Sequence, residues 1–127
     1  MMRPGFKLDS YRLLAEALTL LPRGAWRLAV LGDGPAAGDV ARLMGEAGAK
    51  AGASIQILGA ADAAGVRAAM DAADIFVWPG VREPYGMVYL EAAARGLPAV
   101  ALRQGGVPDM VRHDVTGLLA PGDTAHD

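Results

Sequence analysis

The sequence predicts an α/β fold, a doubly wound parallel sheet of the Rossmann-like type. Short apolar segments of strand length alternate with longer segments whose apolar residues recur at helical spacing, which is typical of a parallel sheet covered by helices. Glycine or proline follows nearly every apolar segment and marks a turn there. In such a sheet, ligands bind at the carboxyl ends of the strands. We therefore expect the functional residues in the turns that follow strands.

Composition restricts the class of protein. The 127 residues are 53% hydrophobic, which is enough for one domain with a substantial core. A formal net charge of −2 argues against a general surface for nucleic acid or anionic membranes. The lack of cysteine excludes disulfides and thiolate zinc sites, and two histidines are too few for a histidine-rich metal centre. No apolar run suits a membrane span or a signal peptide, so we expect a soluble protein, with the cytoplasm as the default compartment.

The predicted elements follow one another in a regular order. The first helix is predicted to begin after Asp9 or at Ser10, either of which can cap it, and to end before Pro22. The predicted helices are 10–21, 36–51, 63–72, 86–95 and 107–112. The predicted strands are 26–31, 54–58, 75–78, 99–102 and 117–120.

Two glutamates eight positions apart carry the main functional signal. Glu83 lies in a turn with proline and glycine, and Glu91 lies about one turn inside the helix predicted to start near Gly86. Gly96 supplies the C-cap of that helix, and Pro98 cannot continue it. Backbone N–H groups at a helix N-terminus can hold a phosphate or sugar oxygen, and carboxylates can accept hydrogen bonds from hydroxyls. A nucleotide sugar offers both kinds of group, although the two glutamates could also be solvated surface charges.

This stretch resembles the Glu-x7-Glu motif of the retaining, glycogen synthase-like family four of B-fold glycosyltransferases. The family's usual form begins Glu-Gly-Phe-Gly, whereas here Pro84 replaces the first glycine and Tyr85 the phenylalanine. Other segments match the family in the expected order, namely 30–35, 57–59, 73–79, 105–111 and 116–123. The likeness covers nearly the whole chain and implies the donor-binding, C-terminal half of such an enzyme.

The resemblance implies roles for charged residues. Lys7 and Arg3 match the basic pair that contacts the donor's diphosphate and stabilises the leaving group, although the spacing is one residue shorter than the usual Arg-x4-Lys. Glu91 is expected to accept hydrogen bonds from the ribose hydroxyls, and Glu83 to hold hydroxyls of the transferred sugar. The alternative for both cations is a solvated position. The pattern implies no metal, no cofactor and no enzyme nucleophile; the donor is a UDP-, GDP- or ADP-sugar, and the acceptor is unknown.

Backbone contacts to the donor are expected from the turns. The residues concerned are Tyr85, Gly86, Met87, Val88, Gly32, Gly34, Gly59, Gly105 and Gly106. Each glycine could equally be an ordinary turn residue or strand end. Phe76 and Trp78 are predicted to be core or strand-end residues and not a platform for base stacking, and His113 is predicted to lie on the surface.

One strand of the resembling family has no counterpart in this sequence. In the family an apolar central strand immediately precedes the segment that matches 1–7, and only Met1 and Met2 could represent its end. We therefore expect a fragment of a longer enzyme, without the acceptor domain and inactive in sugar transfer by itself. A rearranged sheet, strand exchange or oligomer is expected, because unpaired ladder groups are costly.

Two other functions are compatible with the fold class. Gly32-x-Gly34-x-x-Ala37 satisfies the loose fingerprint of a dinucleotide-binding domain. That function needs an acidic residue at the end of the next strand, where Gly59 stands, and Asp62 is too far along. The other alternative is a non-catalytic, flavodoxin-like interaction domain.

Overall fold

The architecture comes from a computed structural model that describes residues 2–82 and 86–121, without the side chain at position 6. Helices and strands alternate along the chain, so the α/β class with parallel strands is confirmed. The helices are α1 (Phe6–Leu18), α2 (Ala37–Ala51), α3 (Ala63–Ala72), α4 (Met87–Ala94) and α5 (Val107–Met110). The strands are β1 (Arg27–Leu31), β2 (Ser54–Gly59), β3 (Phe76–Val77), β4 (Ala99–Leu102) and β5 (Gly117–Ala120).

The chain forms two compact units, which divide between Asp62 and Ala63. The first contains α1, β1, α2 and β2, and its two strands pair in parallel. The second contains the remaining elements, and its strands pair in parallel in the order β3-β4-β5. Within 2–82 and 86–121, no strand pairs with the second edge of β1 or of β3. The strands described here therefore form two sheets, not one continuous sheet.

In the first unit, the core lies between the two helices and one face of the sheet. Alternate strand residues point to opposite faces, so Leu28 and Val30 of β1 face the same side. The amphipathic helix α2 turns its apolar stripe toward them, as its spacing predicts. The buried members of this cluster are Met2, Leu8, Ala15, Val30, Ala36, Val40, Met44 and Ala47.

The core of the second unit surrounds β4, whose residues are buried on both sides. Parallel strands covered on two faces read as continuous apolar runs, and β4 has the sequence Ala-Val-Ala-Leu. One cluster joins Tyr89, Ala99, Ala101, Val107, Val111 and Leu119, and another joins Met70, Ala92 and Leu97. Phe76, at the start of β3, and Trp78, just after its end, are partly buried and pack against the first cluster, in agreement with their prediction as core or strand-end residues.

The start of α1 differs from the prediction. The helix begins at Phe6, not near Ser10, and its first interior bond runs from the N–H of Asp9 to the carbonyl of Gly5 at 2.9 Å. The Asp9 carboxylate accepts a hydrogen bond from Arg12 and caps nothing. Ser10 is buried inside the helix. The predicted start was wrong because Asp9 and Ser10 are residue types that commonly cap helices, whereas Gly5, with φ 80°, makes the turn into this helix.

Two helix ends also fall earlier than predicted. Helix α1 stops at Leu18, because the N–H and the hydroxyl of Thr19 both donate to the carbonyl of Glu16. Helix α5 stops at Met110, because Val111 is extended, with φ −120° and ψ 120°. All other element bounds agree with the predicted ones to within one residue. None of the helices described here has the length and apolarity needed to cross a lipid bilayer.

Candidate functional site

The turn between β1 and α2 depends on two glycines. Gly32 has φ 130° and Gly34 has φ 147°, conformations that other residues rarely adopt. The Asp33 carboxylate accepts the N–H of Gly34 at 2.8 Å, and the Gly34 carbonyl accepts the N–H of Ala37 at 3.0 Å. The backbone of the turn therefore accounts for both glycines, whatever else they contact.

Gly59 lies beside this turn because β2 carries an irregularity. Val30 pairs with Ile57, but Leu31 pairs with Gly59, so Leu58 is an extra residue. The shift lets the Gly59 carbonyl accept the N–H of Gly32 at 2.8 Å. Gly59 has φ 75°, and a Cβ there would meet no atom within 4 Å. The structure thus brings Gly59 and Gly32 together, with open space in front of Gly59.

The two predicted cations follow a buried residue that is bonded to the same turn. The N–H of Met2 donates to the carbonyl of Asp33 at 2.8 Å, and its own carbonyl accepts the N–H of Ala36 at 2.9 Å. Arg3 comes next and is exposed in the connection to α1. Lys7 is half-buried in the first turn of α1, whereas the sequence placed it before that helix.

In the second unit, α4 begins where the sequence predicts. Its N-cap is Gly86, with φ 68° and ψ 30°, a residue that has no side chain with which to cap the helix. Met87 and Val88 open the helix, and the N–H groups in such a first turn lack intrahelical acceptors. Glu83 and Tyr85, which the sequence assigns to sugar contacts, lie outside the described residues, as does Pro84.

Glu91 is an exposed residue of α4, one turn beyond the start of the helix. It shares the exposed side with Met87 and Leu90, whose relative exposures are 57% and 42%. Its carboxylate forms no hydrogen bond or ion pair with any residue in 2–82 or 86–121. A charged acceptor is therefore open to solvent or a ligand near the N-terminal end of α4.

Tyr89 ties α4 to the end of β3, and sequence reasoning did not single it out. The residue is 1% exposed, and its hydroxyl donates to the carbonyl of Trp78 at 2.7 Å. Its ring meets Phe76 edge to face, with centroids 5.8 Å apart and planes at 65°. The available signal was a tyrosine in a very apolar helix, since a buried hydroxyl needs a hydrogen-bond acceptor.

The predicted glycine pair precedes α5. Gly105 has φ 52°, and Gly106 is the N-cap of the short helix. Just before them, the Gln104 carbonyl accepts the N–H of Val107 at 3.0 Å, and its side-chain Oε1 accepts the N–H of Arg82 at 3.3 Å. Gln104 thus joins the glycine pair to the residue that precedes the undescribed 83–85. No local sequence pattern indicates a contact between residues 22 positions apart.

His113 has a structural contact. Its Nδ1 accepts the N–H of Leu119 at 3.0 Å, and its side chain is 42% exposed. The imidazole is thus part of the approach to β5, which agrees with the predicted surface position. Asp109 lies in the first turn of α5 and is exposed.

Among the described residues, the titratable groups with shifted pKa values are not predicted site residues. In the second unit, the guanidinium of Arg95 binds the carboxylate of Asp71 through two nitrogens and holds the pKa of that carboxyl below its ordinary value. In the first unit, burial raises the pKa of the Tyr11 hydroxyl. A cavity of about 220 Å³ between α1 and α2 is lined by none of the predicted site residues.

Known proteins resemble this chain in sequence. The family model described as Glycosyl transferases group 1 matches residues 2–127. Sulfoquinovosyl transferase SQD2 of Arabidopsis thaliana is 36% identical over 118 residues, which cover 90% of this chain and 22% of that protein. A D-inositol 3-phosphate glycosyltransferase of Pseudarthrobacter chlorophenolicus is 48% identical over 56 residues, which cover 44% of this chain and 13% of that protein. The chain thus spans less than a quarter of each relative.

Solved structures resemble it as well. Anabaena Alr3699/HepE in complex with UDP superimposes with a TM-score of 0.74 and 26% identity, over 93% of this chain and 33% of that one. The same protein with UDP and glucose gives a TM-score of 0.71 and 25% identity, over 91% of this chain and 31% of that one. The resemblance predicted from the motifs is confirmed, and the dinucleotide-binding alternative is set aside. This chain belongs to the group 1 glycosyltransferases.

Proposed function

We propose that this chain binds the nucleotide-sugar donor of a glycosyltransferase that transfers a hexosyl group to an acceptor hydroxyl. Membership of the family supports the reaction class. The UDP present in two similar structures of Alr3699/HepE supports a nucleotide as the ligand. The most specific part of the proposal concerns Glu91 and the start of α4, which belong to the second unit.

The observation that carries it is the exposed carboxylate of Glu91, which has no hydrogen-bond or ion-pair partner among residues 2–82 and 86–121 and lies near the start of α4. A carboxylate can accept hydrogen bonds from both ribose hydroxyls, and bonds to a charged group contribute about 1.5–3 kcal/mol. The N–H groups of Gly86, Met87 and Val88 can donate to phosphate or sugar oxygens. Gly86 has no side chain to obstruct an approaching ligand.

The other predicted residues have more general roles in this proposal. In the second unit, Gly105 and Gly106 lie beside the donor, Glu83 holds sugar hydroxyls, and Tyr85 offers its N–H. In the first unit, Lys7 and Arg3 stabilise the diphosphate, and the backbone at Gly32, Gly34 and Gly59 contacts the nucleotide. These roles rest on the motif resemblance, and each can be tested by a single substitution.

We infer a retaining reaction that uses neither a metal nor an enzyme nucleophile. The bond between the anomeric carbon and the phosphate oxygen breaks, and a bond to the acceptor oxygen forms on the same face. The acceptor proton passes to the departing phosphate, and nearby cations stabilise the charge that develops there. We expect the reaction to take place in the cytoplasm. These points follow from the family pattern of the motifs.

Thermal unfolding in the presence of nucleotides tests the proposal. A ligand that binds only the folded state raises its stability, so one of UDP, GDP and ADP should raise the Tm. A nicotinamide dinucleotide should not. Glu91→Ala should abolish the shift, while Glu46→Ala, an exposed glutamate on α2, should preserve it.

The outcomes separate the candidate functions. A shift with one nucleoside diphosphate that is lost only in Glu91→Ala supports the donor site and identifies its base. A shift with the nicotinamide dinucleotide alone contradicts the proposal, as does a nucleotide shift that Glu91→Ala leaves intact. No shift with any nucleotide contradicts the proposal that this chain binds the donor by itself.

We also propose that the chain self-associates or exchanges a strand. The second edges of β1 and β3 have no strand partner within the described ranges, and open parallel edges attract further strands. Sedimentation velocity should detect a dimer whose population grows with concentration. A monomer at all concentrations would contradict this.

A further inference from the structure

We propose that Tyr89 is a positioning residue for the ribose contact, acting through the orientation of α4 without touching the ligand. The inference rests on the proposed function, because it concerns how Glu91 is aimed at the ribose hydroxyls. It goes further than the proposed function because it makes the affinity for the ribose depend on the buried hydroxyl of Tyr89, two residues before Glu91 in the sequence.

The first step is that Trp78 provides a fixed anchor. Its N–H donates to the carbonyl of Val100 at 3.0 Å, and the carbonyl of Pro79 accepts the N–H of Leu102 at 2.9 Å. Both residues thus extend the pairing of β3 with β4 beyond the strand. The Trp78 carbonyl, which accepts the hydrogen bond of the Tyr89 hydroxyl, is therefore held in place by the pairing of its segment with β4.

The second step is that Tyr89 holds α4 to the segment of β3 at two points. Its hydroxyl donates to the carbonyl of Trp78, and its ring packs edge to face with that of Phe76. Its N–H donates to the carbonyl of Gly86 at 3.1 Å, within the first turn of the helix itself. A Cβ on Gly86 would lie 3.0 Å from the Tyr89 ring, so the ring covers the helix cap closely. Rotation or translation of the helix would break the hydroxyl bond.

The third step concerns Glu91, which has no partner of its own among the described residues. With no local contact to hold the carboxylate, its direction depends on the orientation of α4. A misplaced helix would weaken the ribose bonds and also the phosphate bonds made by the N–H groups of its first turn. The expected signature is a loss of affinity that is larger for a ligand that has the ribose hydroxyls.

The test compares UDP with its 2′,3′-dideoxy analogue by calorimetric titration of the chain and its Tyr89→Phe variant. We expect Tyr89→Phe to weaken UDP binding about three- to tenfold, the range of one hydrogen bond. Binding of the dideoxy analogue should weaken less than binding of UDP, because the missing ribose hydroxyls are the groups that Glu91 would hold. Glu91→Ala should show the same selectivity with a larger loss.

Two further variants control for stability. Tyr11→Phe removes a partly buried tyrosine hydroxyl from the first unit and should leave both affinities unchanged. Phe76→Leu removes the ring contact but keeps the Tyr89 hydroxyl, and it should cause a smaller loss that is again greater for UDP than for the dideoxy analogue. This variant also provides the test if Tyr89→Phe fails to fold.

The possible results distinguish this inference from the proposed function. If Glu91→Ala loses UDP selectively while Tyr89→Phe and Phe76→Leu weaken both ligands equally or neither, the function stands and the positioning role is wrong. If the unmodified chain binds UDP and the dideoxy analogue equally, or binds neither, the ribose role of Glu91 fails and this inference fails with it.

Discussion

The two units hold their glycine turns in different ways. In the first unit, backbone groups make most of the bonds around the Gly32 turn, including those from Met2 and to Gly59. In the second, the hydroxyl of Tyr89 and the amide of Gln104 hold the segments on either side of 83–85. A turn held by backbone bonds tolerates side-chain changes that a turn held by side chains does not. The second unit, which contains Glu91, should therefore be the more sensitive to substitution.

The largest effect is expected at Gly117, where two strands of the second unit approach most closely. A Cβ at this position would lie 2.1 Å from the carbonyl oxygen of Ala99, so the pairing of β4 with β5 would have to shift. We expect Gly117→Ala to lower the free energy of unfolding by about 3 kcal/mol or more, measured by urea denaturation.

The matched control for that substitution is Gly45→Ala in the first unit. Gly45 lies in the exposed interior of α2, and a methyl group added there would meet no atom within 4 Å. Alanine should therefore raise the free energy of unfolding by about 0.5–1 kcal/mol, because it loses less conformational freedom than glycine on folding. Equal changes in the free energy of unfolding for the two substitutions would contradict the prediction that packing around Gly117 is tighter than packing around Gly45.

A second pair compares two glycines with left-handed backbone. Gly86→Ala in the second unit should cost about 2 kcal/mol, because strain at φ 68° adds to the crowding by Tyr89 and Met110. Gly59→Ala in the first unit should cost about 1 kcal/mol, because only the strain at φ 75° applies. Urea unfolding of both variants measures the difference, and a larger loss for Gly59→Ala would reverse the comparison.

A third pair tests the side-chain bonds themselves by hydrogen exchange. Gln104→Ala should speed exchange of the Arg82 N–H about three- to tenfold, because its acceptor is lost. Asp33→Ala should expose the N–H of Gly34, whereas that of Gly32 should keep its protection, because its acceptor is a backbone carbonyl. An unchanged rate at Arg82 would contradict the role of Gln104.

The smallest effect concerns the exposed pair of Arg95 and Asp71. The folded-state pKa of Asp71 lies below its ordinary value. The pair therefore contributes its full stabilisation at pH values above the ordinary pKa. This stabilisation is lost as the pH falls through the folded-state pKa. Arg95→Gln should return the Asp71 pKa toward its usual range in an NMR titration. The control variant Arg42→Gln removes a longer exposed ion pair with Asp39 in the first unit, and it should leave the pKa of Asp71 unchanged.

Local sequence signals predicted much of this structure. Gly86 and Gly96 bracket α4, and the chain does enter and leave that helix through left-handed backbone at these glycines. The Gly32 and Gly34 turn also follows from residue type, because a strand that runs into a helix there requires unusual φ values. Such features depend on the backbone conformations that a single residue type allows, so they can be predicted from the residue type alone.

Features that depend on distant residues could not be predicted. The true start of α1 was obscured because Asp9 and Ser10 are good caps, although Gly5 makes the turn. The bond from Gln104 to Arg82 and the division of the strands into two sheets arise from tertiary pairing. Tyr89 was an intermediate case, because its buried hydroxyl required an acceptor that the sequence did not identify.

The central claim is that Glu91 and the start of α4 bind a nucleotide. Titration of the isotopically labelled chain with UDP, followed by ¹H–¹⁵N NMR, tests it most directly. The account predicts saturable shifts of the amides of Gly86, Met87, Val88 and Glu91, all lost in Glu91→Ala while the spectrum stays that of a folded chain. Saturable shifts confined to other parts of the chain, or shifts at α4 that persist in Glu91→Ala, would contradict it.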